Sequence, residues 1–223
     1  MISLPQYVCK RVDHPIEVNG DLSKPEWQGV DDVSLVIVDT GGPPDQPTMA
    51  KMLYDDSYLY FAFHAVDNDI WSTFRRRDEM LSEQEVVEMF IDPFGLGKVY
   101  FEFNISPHNV IFDAVILNRM IPPDGPRDIT GLTQWDCEGL KTAVTVVGEL
   151  DTRRAVSQYW DAEAAVPFRE LVPPNCPPNP GDEWRLNLFR IDRGADKDEY
   201  QAWSPTGRVD YHMPWHFGKL RFQ

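Results

Sequence analysis

The sequence is poor in cysteine, in positive charge and in long apolar runs. Its three cysteines, Cys9, Cys137 and Cys176, are odd in number and widely spaced, with no CxxC pair, so neither a disulfide framework nor a zinc site is indicated. Idle thiols of this kind lean towards a reducing compartment. Lys and Arg number 21 against 36 Asp and Glu, a formal net charge of −15. Nucleic-acid affinity comes largely from cations that neutralise phosphates, so nucleic acid is not expected as an unaided partner, and anionic membrane surfaces are disfavoured for the same reason. No apolar run approaches the ~18 residues of a membrane span, and the opening residues show neither the apolar stretch nor the small-residue cleavage site of a signal peptide. No membrane partner is therefore expected; the compartment is cytoplasmic by default and extracellular if a leader has been removed. GxGxxG, GxxxxGK[ST], GxSxG and HExxH are all missing, and with them the usual apparatus of dinucleotide, nucleoside-triphosphate, serine-hydrolase and zinc-protease chemistry.

What is present is a series of short alternating segments. In Tyr58–Val66 the residues Leu59, Phe61, Phe63 and Ala65 share one face of a strand, with Tyr58, Tyr60 and His64 on the other, because side chains alternate along an extended chain. The same parity sets Val99, Phe101, Phe103 and Ile105 against Tyr100, Glu102 and Asn104, and Trp160, Ala162, Ala164 and Val166 against Tyr159, Asp161 and Glu163. Further segments are Met49–Tyr54, Val86–Ile91, Val110–Leu117, Thr142–Val147, Trp184–Ile191, Gln201–Trp203 and Lys219–Phe222. No long stretch carries helical periodicity. The expectation is an all-β fold, an antiparallel β-sandwich of the immunoglobulin-like or jelly-roll-like kind with about ten strands. Proline clusters at 43–44, 122–126 and 173–180 mark loops, since proline cannot donate to a central ladder, and 12 Phe, 8 Tyr and 7 Trp supply the apolar area for one core. The 223 residues suit a single β domain spanning 1–223.

Several pieces, in order, resemble the family 9 carbohydrate-binding modules of the wider sugar- and haem-binding sandwich group. Val18-Asn19-Gly20-Asp21-Leu22 followed by Glu26-Trp27 is similar to the family's opening turn and first buried Trp. Leu53-Tyr54-Asp55-Asp56-Ser57-Tyr58 leads into an aromatic strand, as in the family hairpin. Val86–Pro93 resembles the strand that carries an acidic residue, Glu88, on the ligand face, with Tyr100–Asn104 on its neighbour. Trp160–Phe168 with Leu171, Asn187 with Arg190, Trp203-Ser204-Pro205 and Phe217–Phe222 complete the pattern. The resemblance implies a noncatalytic β-sandwich that binds plant-type polysaccharide fragments such as xylan or cello-oligosaccharides. Two Trp that sandwich a sugar in the family correspond here to the neighbourhood of Leu81-Ser82 and to Tyr211, and a family Arg corresponds to Glu102.

Sugars present C–H faces that stack on aromatic rings and hydroxyls that need fixed polar partners. A ligand set of Glu88, Trp71, Tyr100, Glu102, Asn104, Arg190, Tyr211 and Trp215 meets both needs, although a solvated sheet face and packing loops account for the same residues more plainly. No catalytic residue is assigned and no cofactor is required. Asp67, Asn68 and Asp69, or Asp39 with Asp45, offer oxygens that a structural Ca²⁺ accepts, and Asx turns have the same composition. The partner expected is a carbohydrate, with association with glycoside hydrolases compatible with it. Two alternatives remain open: a haem-binding electron-transfer sandwich, using His64 with Met49, Met52 or Met89, and a glycoside hydrolase drawing two carboxylates from Glu85, Glu88, Glu102 and Asp113.

Overall fold

A computed structural model describes residues 4–120, 127–153, 158–171, 177–194 and 197–223. Its strands, in chain order, are β1 (Gln6–Arg11), β2 (Val33–Ser34), β3 (Val36–Ile37), β4 (Thr48–Tyr54), β5 (Tyr58–Val66), β6 (Val86–Asp92), β7 (Val99–Ile105), β8 (Ile111–Asn118), β9 (Ile129–Leu132), β10 (Lys141–Val147), β11 (Tyr159–Pro167), β12 (Glu183–Arg193), β13 (Asp198–Ala202) and β14 (Gly218–Phe222); one helical turn, α1 (Phe168–Leu171), follows β11. They form a 14-stranded sheet in the order β10-β11-β5-β4-β1-β14-β12-β6-β7-β8-β9, with β13, β3 and β2 attached beside it. Each of the ten expected segments overlaps a strand. The sheet is mixed, however, and not purely antiparallel.

The parallel pairings belong to β1. Gln6–Cys9 run parallel to Lys219–Phe222 of β14, whereas Lys10 and Arg11 run parallel to Leu53 and Tyr54 of β4. One strand thus belongs to both halves of a curled sheet, and the inner faces of the two halves close on each other. The alternation sends the expected residues there: Phe61, Phe63 and Ala65 of β5, Met89 and Ile91 of β6, Phe101 and Phe103 of β7, and Trp160, Ala162 and Ala164 of β11 are all buried in one cluster. Burying a large apolar side chain contributes roughly 1.5–3 kcal/mol, and this inner layer is where that stabilisation concentrates.

Both outer faces are also covered. The segment between β1 and β2 lies across the outside of β5 and β11, where Ile16, Trp27, Leu53, Tyr60 and Ala165 form a second buried cluster. Glu163 organises it. Its carboxylate accepts from the Asn19 and Gly20 N–H groups at 2.9 and 3.1 Å, from Trp27 Nε1 at 2.9 Å and from Lys24 Nζ at 2.8 Å. Gly20 sits at φ +80, and a Cβ there would lie 2.8 Å from Thr145 Oγ1, so the turn requires glycine. Charge-assisted hydrogen bonds are the stronger kind, and Glu163→Gln, which keeps the shape but removes the charge, is expected to cost about 1–2 kcal/mol in urea unfolding. A midpoint equal to wild type would show that Lys24 and the backbone donors are satisfied without it. The turn between β4 and β5 is built similarly: Asp55 accepts from the Ser57 and Tyr58 N–H groups at 2.6 and 2.7 Å and from the Tyr60 hydroxyl at 2.7 Å.

Cys9 and Cys137 are free and buried; Cys176 lies outside the described residues, as do the proline cluster at 122–126 and residues 173–176 of the last one. Among the described residues no helix is long and apolar enough to cross a membrane.

Candidate functional site

Pairing register decides which side chains meet on the outer face of the larger half. Glu88 of β6 stands opposite Asn104 of β7, and Phe90 opposite Glu102. Across β7, Tyr100, Glu102 and Asn104 stand opposite Ile116, Ala114 and Phe112 of β8. On the other flank Glu88 faces Phe189 of β12, and Ile191 faces Tyr200 of β13. Opposed residues project to the same side, so the outer face carries an apolar floor with Glu88, Glu102 and Asn104 set into it. This face is not solvated. The stretch around Met80–Ser82 and the segment 209–212 rise beside it and leave a cleft of about 340 Å³.

Four of the eight expected ligand residues line that cleft: Glu88, Glu102, Asn104 and Tyr211. Glu88 is only 2% exposed and Asn104 1%, and Glu88 Oε1 and Asn104 Oδ1 have no hydrogen-bond partner among the described residues. Asn104 Nδ2 donates to Glu102 Oε1 at 3.0 Å. Burial raises both carboxyl groups above their usual range, Glu88 well above it with the Glu102 charge adding to the effect, and Glu102 to about 7 against the pull of Asn104 and Arg127. Tyr211 stacks on Phe189, ring centroids 4.1 Å apart, and its hydroxyl donates to the Arg190 carbonyl at 2.7 Å. One face of its ring is therefore already used.

Tyr100 supports the cleft from beneath. It is fully buried against Phe90 and Phe217, and its hydroxyl lies 2.8 Å from His212 Nδ1. His212 lines the cleft; burial pushes its pKa down to about 3, so the ring is neutral.

The other three expected residues lie elsewhere. Arg190 is on the opposite side of β12: it faces Val87, and with Leu188 it points between the sheets. Asn187 and Arg190 are three apart, and an odd separation in a strand puts two residues on opposite faces, so they could not extend one surface. Arg190 is 0% exposed and pairs with Asp67 at 2.9 Å, Asp192 at 3.4 Å and Glu85 at 3.7 Å. It also donates to the Val66 carbonyl at 2.7 Å and to Thr48 Oγ1 at 3.2 Å. Trp71 lines a separate shallow groove with Arg75, Asp151 and Arg153, with the Arg153 guanidinium 4.3 Å from its ring centre and Nε1 donating to the Arg193 carbonyl at 2.9 Å. Trp215 is half-buried beside β14, with its carbonyl accepting from Arg185 at 3.3 Å. Neither tryptophan reaches the cleft.

Among the described residues two groups of acidic side chains bring carboxylates within metal-ligand reach of one another, Asp67–Glu85–Asp192 and Asp78–Asp113–Asp136. Each is centred on an arginine. Arg190 occupies the first, and Arg77 pairs with Asp113, Asp136 and Asp78 at 2.5, 2.8 and 3.9 Å in the second. A guanidinium already stands where an oxygen-ligated ion would need to be, so these residues do not fit a calcium site. Of the other Ca²⁺ candidates, Asp69 pairs with Arg153 at 3.2 Å and Asp45 with Lys197 at 2.5 Å. Of the haem candidates, Met52 and Met89 face the inner core, and Met49 stands opposite His64, whose Nδ1 lies 2.7 Å from Asp161.

No family model matches the sequence. Among solved structures the chain is similar to a "putative carbohydrate-binding protein" from Bacteroides uniformis, with a TM-score of 0.75 and 16% identity over 99% of this chain and 100% of that one. It is also similar to a family 9 carbohydrate-binding module from Caldicellulosiruptor kristjanssonii, solved with glucose (TM-score 0.65, 12% identity, 98% of this chain and 95% of that chain) and with cellotriose (TM-score 0.66, 12% identity, 98% and 93%). The chain has the fold of the family 9 carbohydrate-binding modules. In sequence it is 25% identical over 181 residues, 75% of this chain and 69% of that protein, to an extracellular protein of Arthroderma benhamiae.

Within this family 9 fold, Leu81, Ser82 and Tyr211 border the cleft, the positions where the family's two stacking tryptophans were expected to correspond. The sequence reading missed Arg127, Tyr200, Asp210 and His212, which also line it. Asp210 and His212 flank Tyr211 in sequence, and that polar-aromatic run was the one available signal.

Proposed function

We propose that this chain binds carbohydrate without catalysing its turnover, and that a sugar ring occupies the cleft above β6, β7 and β8. The observation that carries the reading is the pair of buried, unpartnered acceptors, Glu88 Oε1 and Asn104 Oδ1, on the floor of a cleft whose other walls are largely apolar. A buried acceptor without a partner costs about 1–3 kcal/mol, and a hydroxyl-rich ligand would remove that cost at both atoms while resting its C–H face on the apolar floor. The size of the cleft agrees, since small-molecule sites start at roughly 300 Å³. Family 9 modules solved with glucose and cellotriose share the fold, which makes cello-oligosaccharides and xylo-oligosaccharides the first ligands to try, with the module acting alone or beside a glycoside hydrolase.

Glu88 and Glu102 are diagonal neighbours on adjacent strands of one floor. Glycoside hydrolysis needs its two carboxyl groups flanking the scissile bond; the non-catalytic reading is supported by the fold shared with carbohydrate-binding modules. Calorimetry against glucose, cellotriose and xylotriose is expected to give binding without release of reducing ends. Glu88→Gln should weaken that binding about 10-fold, because the amide puts an N–H₂ group where one of the carboxyl oxygens stands. Gly131→Trp should abolish it by filling the cleft, because a Cβ at Gly131 meets nothing closer than Ile116 Cδ1 at 3.5 Å and the variant has room to fold. Absence of binding across a broad glycan panel would remove the reading.

A further inference from the structure

We infer that the cleft prefers sugars bearing a protonated amino group, of the glucosamine type, over their neutral counterparts; this deepens the carbohydrate-binding reading and rests on it. The cleft is unbalanced both in charge and in hydrogen-bonding sense. Two carboxyl groups, Glu88 and Glu102, are buried side by side on the floor of the cleft, and neither has a close cationic partner among the described residues. The nearest imidazole, His212, holds its Nε2 at 3.9 Å from Glu102, and its Nδ1 is engaged by Tyr100. Arg127, at the rim, is 56% exposed and directed to Asp210 at 3.6 Å. Asp210 is shared with Arg208 at 3.4 Å.

The groups facing the carboxyls can be named element by element. β7 contributes Tyr100 beside Glu102; β13 contributes Tyr200; the segment after β13 contributes Asp210, Tyr211 and His212; Arg127 precedes β9. β8 presents Phe112, Ala114, Ile116 and Asn118 on this side, and β12 presents Phe189 and Ile191 flanked by Asn187, Arg185 and Arg193; Arg193 is already engaged by Asp198, the Tyr200 hydroxyl and the Ser82 carbonyl, and Arg185 by the Trp215 carbonyl. Among the described residues no buried cation pairs with either carboxyl group. Adjacent buried carboxylates without a counter-cation hold on to protons, and burial keeps both of these above the ordinary carboxylate range.

An ammonium group fits what is left open. It offers three donors and no acceptor, against a floor whose free positions are acceptors: Glu88 Oε1, Asn104 Oδ1 and the carboxylate of Glu102. It also supplies the missing charge, so the carboxyl groups can release protons to the solvent as it enters. A hydroxyl supplies one donor and no charge. The formal charge of −15 acts in the same direction, raising the local concentration of a cationic ligand.

The test compares glucosamine, glucose and N-acetylglucosamine on the full chain by calorimetry between pH 5 and 7.5. Glucosamine is expected to bind at least 10-fold more tightly than glucose at pH 7, with the advantage shrinking towards pH 5 as the carboxyl groups keep their protons. N-acetylglucosamine, which has lost the charge, should bind no better than glucose. In buffers of different ionisation enthalpy, glucosamine binding at pH 6 should release protons and glucose binding should not. Glu102→Gln should bring the glucosamine-to-glucose ratio close to one, whatever it does to overall affinity, and unfolding curves would confirm that the variant is folded. Equal affinity of glucosamine and glucose for the wild-type chain at pH 7 would overturn the amine preference and leave the sugar-binding reading standing. Failure of all three sugars, and of the oligosaccharides above, would overturn both.

Discussion

Replacing Arg190 with Met is expected to cost about 3–5 kcal/mol of stability, on the order of 10 °C in Tm for a chain of this size, because it leaves several buried carboxylates without their cation. The guanidinium is enclosed by Asp67, Glu85 and Asp192. These come from three separate places in the chain, the end of β5, the turn before β6 and β12 itself, and the same side chain ties in Gln46 and Thr48 through its carbonyl and hydroxyl contacts. Arg190→Lys should recover only part of the loss, since an ammonium cannot reproduce the planar fork that reaches all of these partners. The deficit should also depend on pH. Burial already holds Glu85 well above its ordinary range and Asp192 at about 6, and losing the arginine drives both further up. The folded variant then binds protons that the unfolded chain does not, so its stability falls as pH rises. Thermal unfolding of Arg190→Met should therefore lie closest to wild type near pH 5 and furthest from it near pH 8. A deficit that is constant across that range, or smaller than about 1 kcal/mol, would mean that Arg190 acts by packing alone.

That cluster shows where the sequence was readable and where it was not. Alternation correctly separated Phe61 and Phe63 from Tyr60 and His64, and Phe101 and Phe103 from Glu102 and Asn104, because side-chain parity in a strand is a local property. The same parity was available for Asn187 and Arg190 and would have put them on opposite faces. What parity cannot reveal is whether a polar face stays wet. Glu88, Glu102 and Asn104 are buried because Met80–Ser82, shortly before β6, and the segment 209–212, between β13 and β14, rise beside them, and those contacts depend on tertiary placement that no local pattern encodes.

The parallel pairing of β1 was hidden for a related reason. Gln6–Arg11 pairs with β14 and β4, strands distant in sequence, and its only local sign is that Tyr7 and Cys9 alone are buried. β2 and β3 have two residues each, too few to show a period, and Gly131 interrupts whatever alternation β9 has. The family resemblance located Glu88 and Tyr211. It also put Glu102 where the family has an Arg, but did not reveal that Glu88 and Glu102 are both buried without a close cation among the described residues, and this substitution gives the cleft its excess of acceptors.

The excess carboxylate should be visible in stability without any ligand. Glu102 has its pKa raised from the ordinary 4.5 to about 7. Between those two values the folded chain holds a proton that the unfolded chain has released, so stability falls with rising pH through that window; below about pH 4.5 both states are protonated and the effect vanishes. Glu102→Gln removes the titration. It should leave Tm almost unchanged at pH 4 and raise it at pH 8, by on the order of 2–3 kcal/mol or roughly 5 °C, because a neutral amide no longer has to be ionised inside the sheet. Glu88 is shifted in the same direction, so the Glu88→Gln, Glu102→Gln double variant should flatten the pH profile further. A single variant no more stable than wild type at pH 8 would show that water in the cleft solvates the ionised Glu102 well enough to hold it without strain. If the gain appears, the wild-type chain keeps a buried pair of carboxyl groups at a cost to its own stability, which is typical of groups retained for a ligand and not for the fold. Glucosamine should then raise the wild-type Tm most strongly at the pH where the unliganded pair costs most.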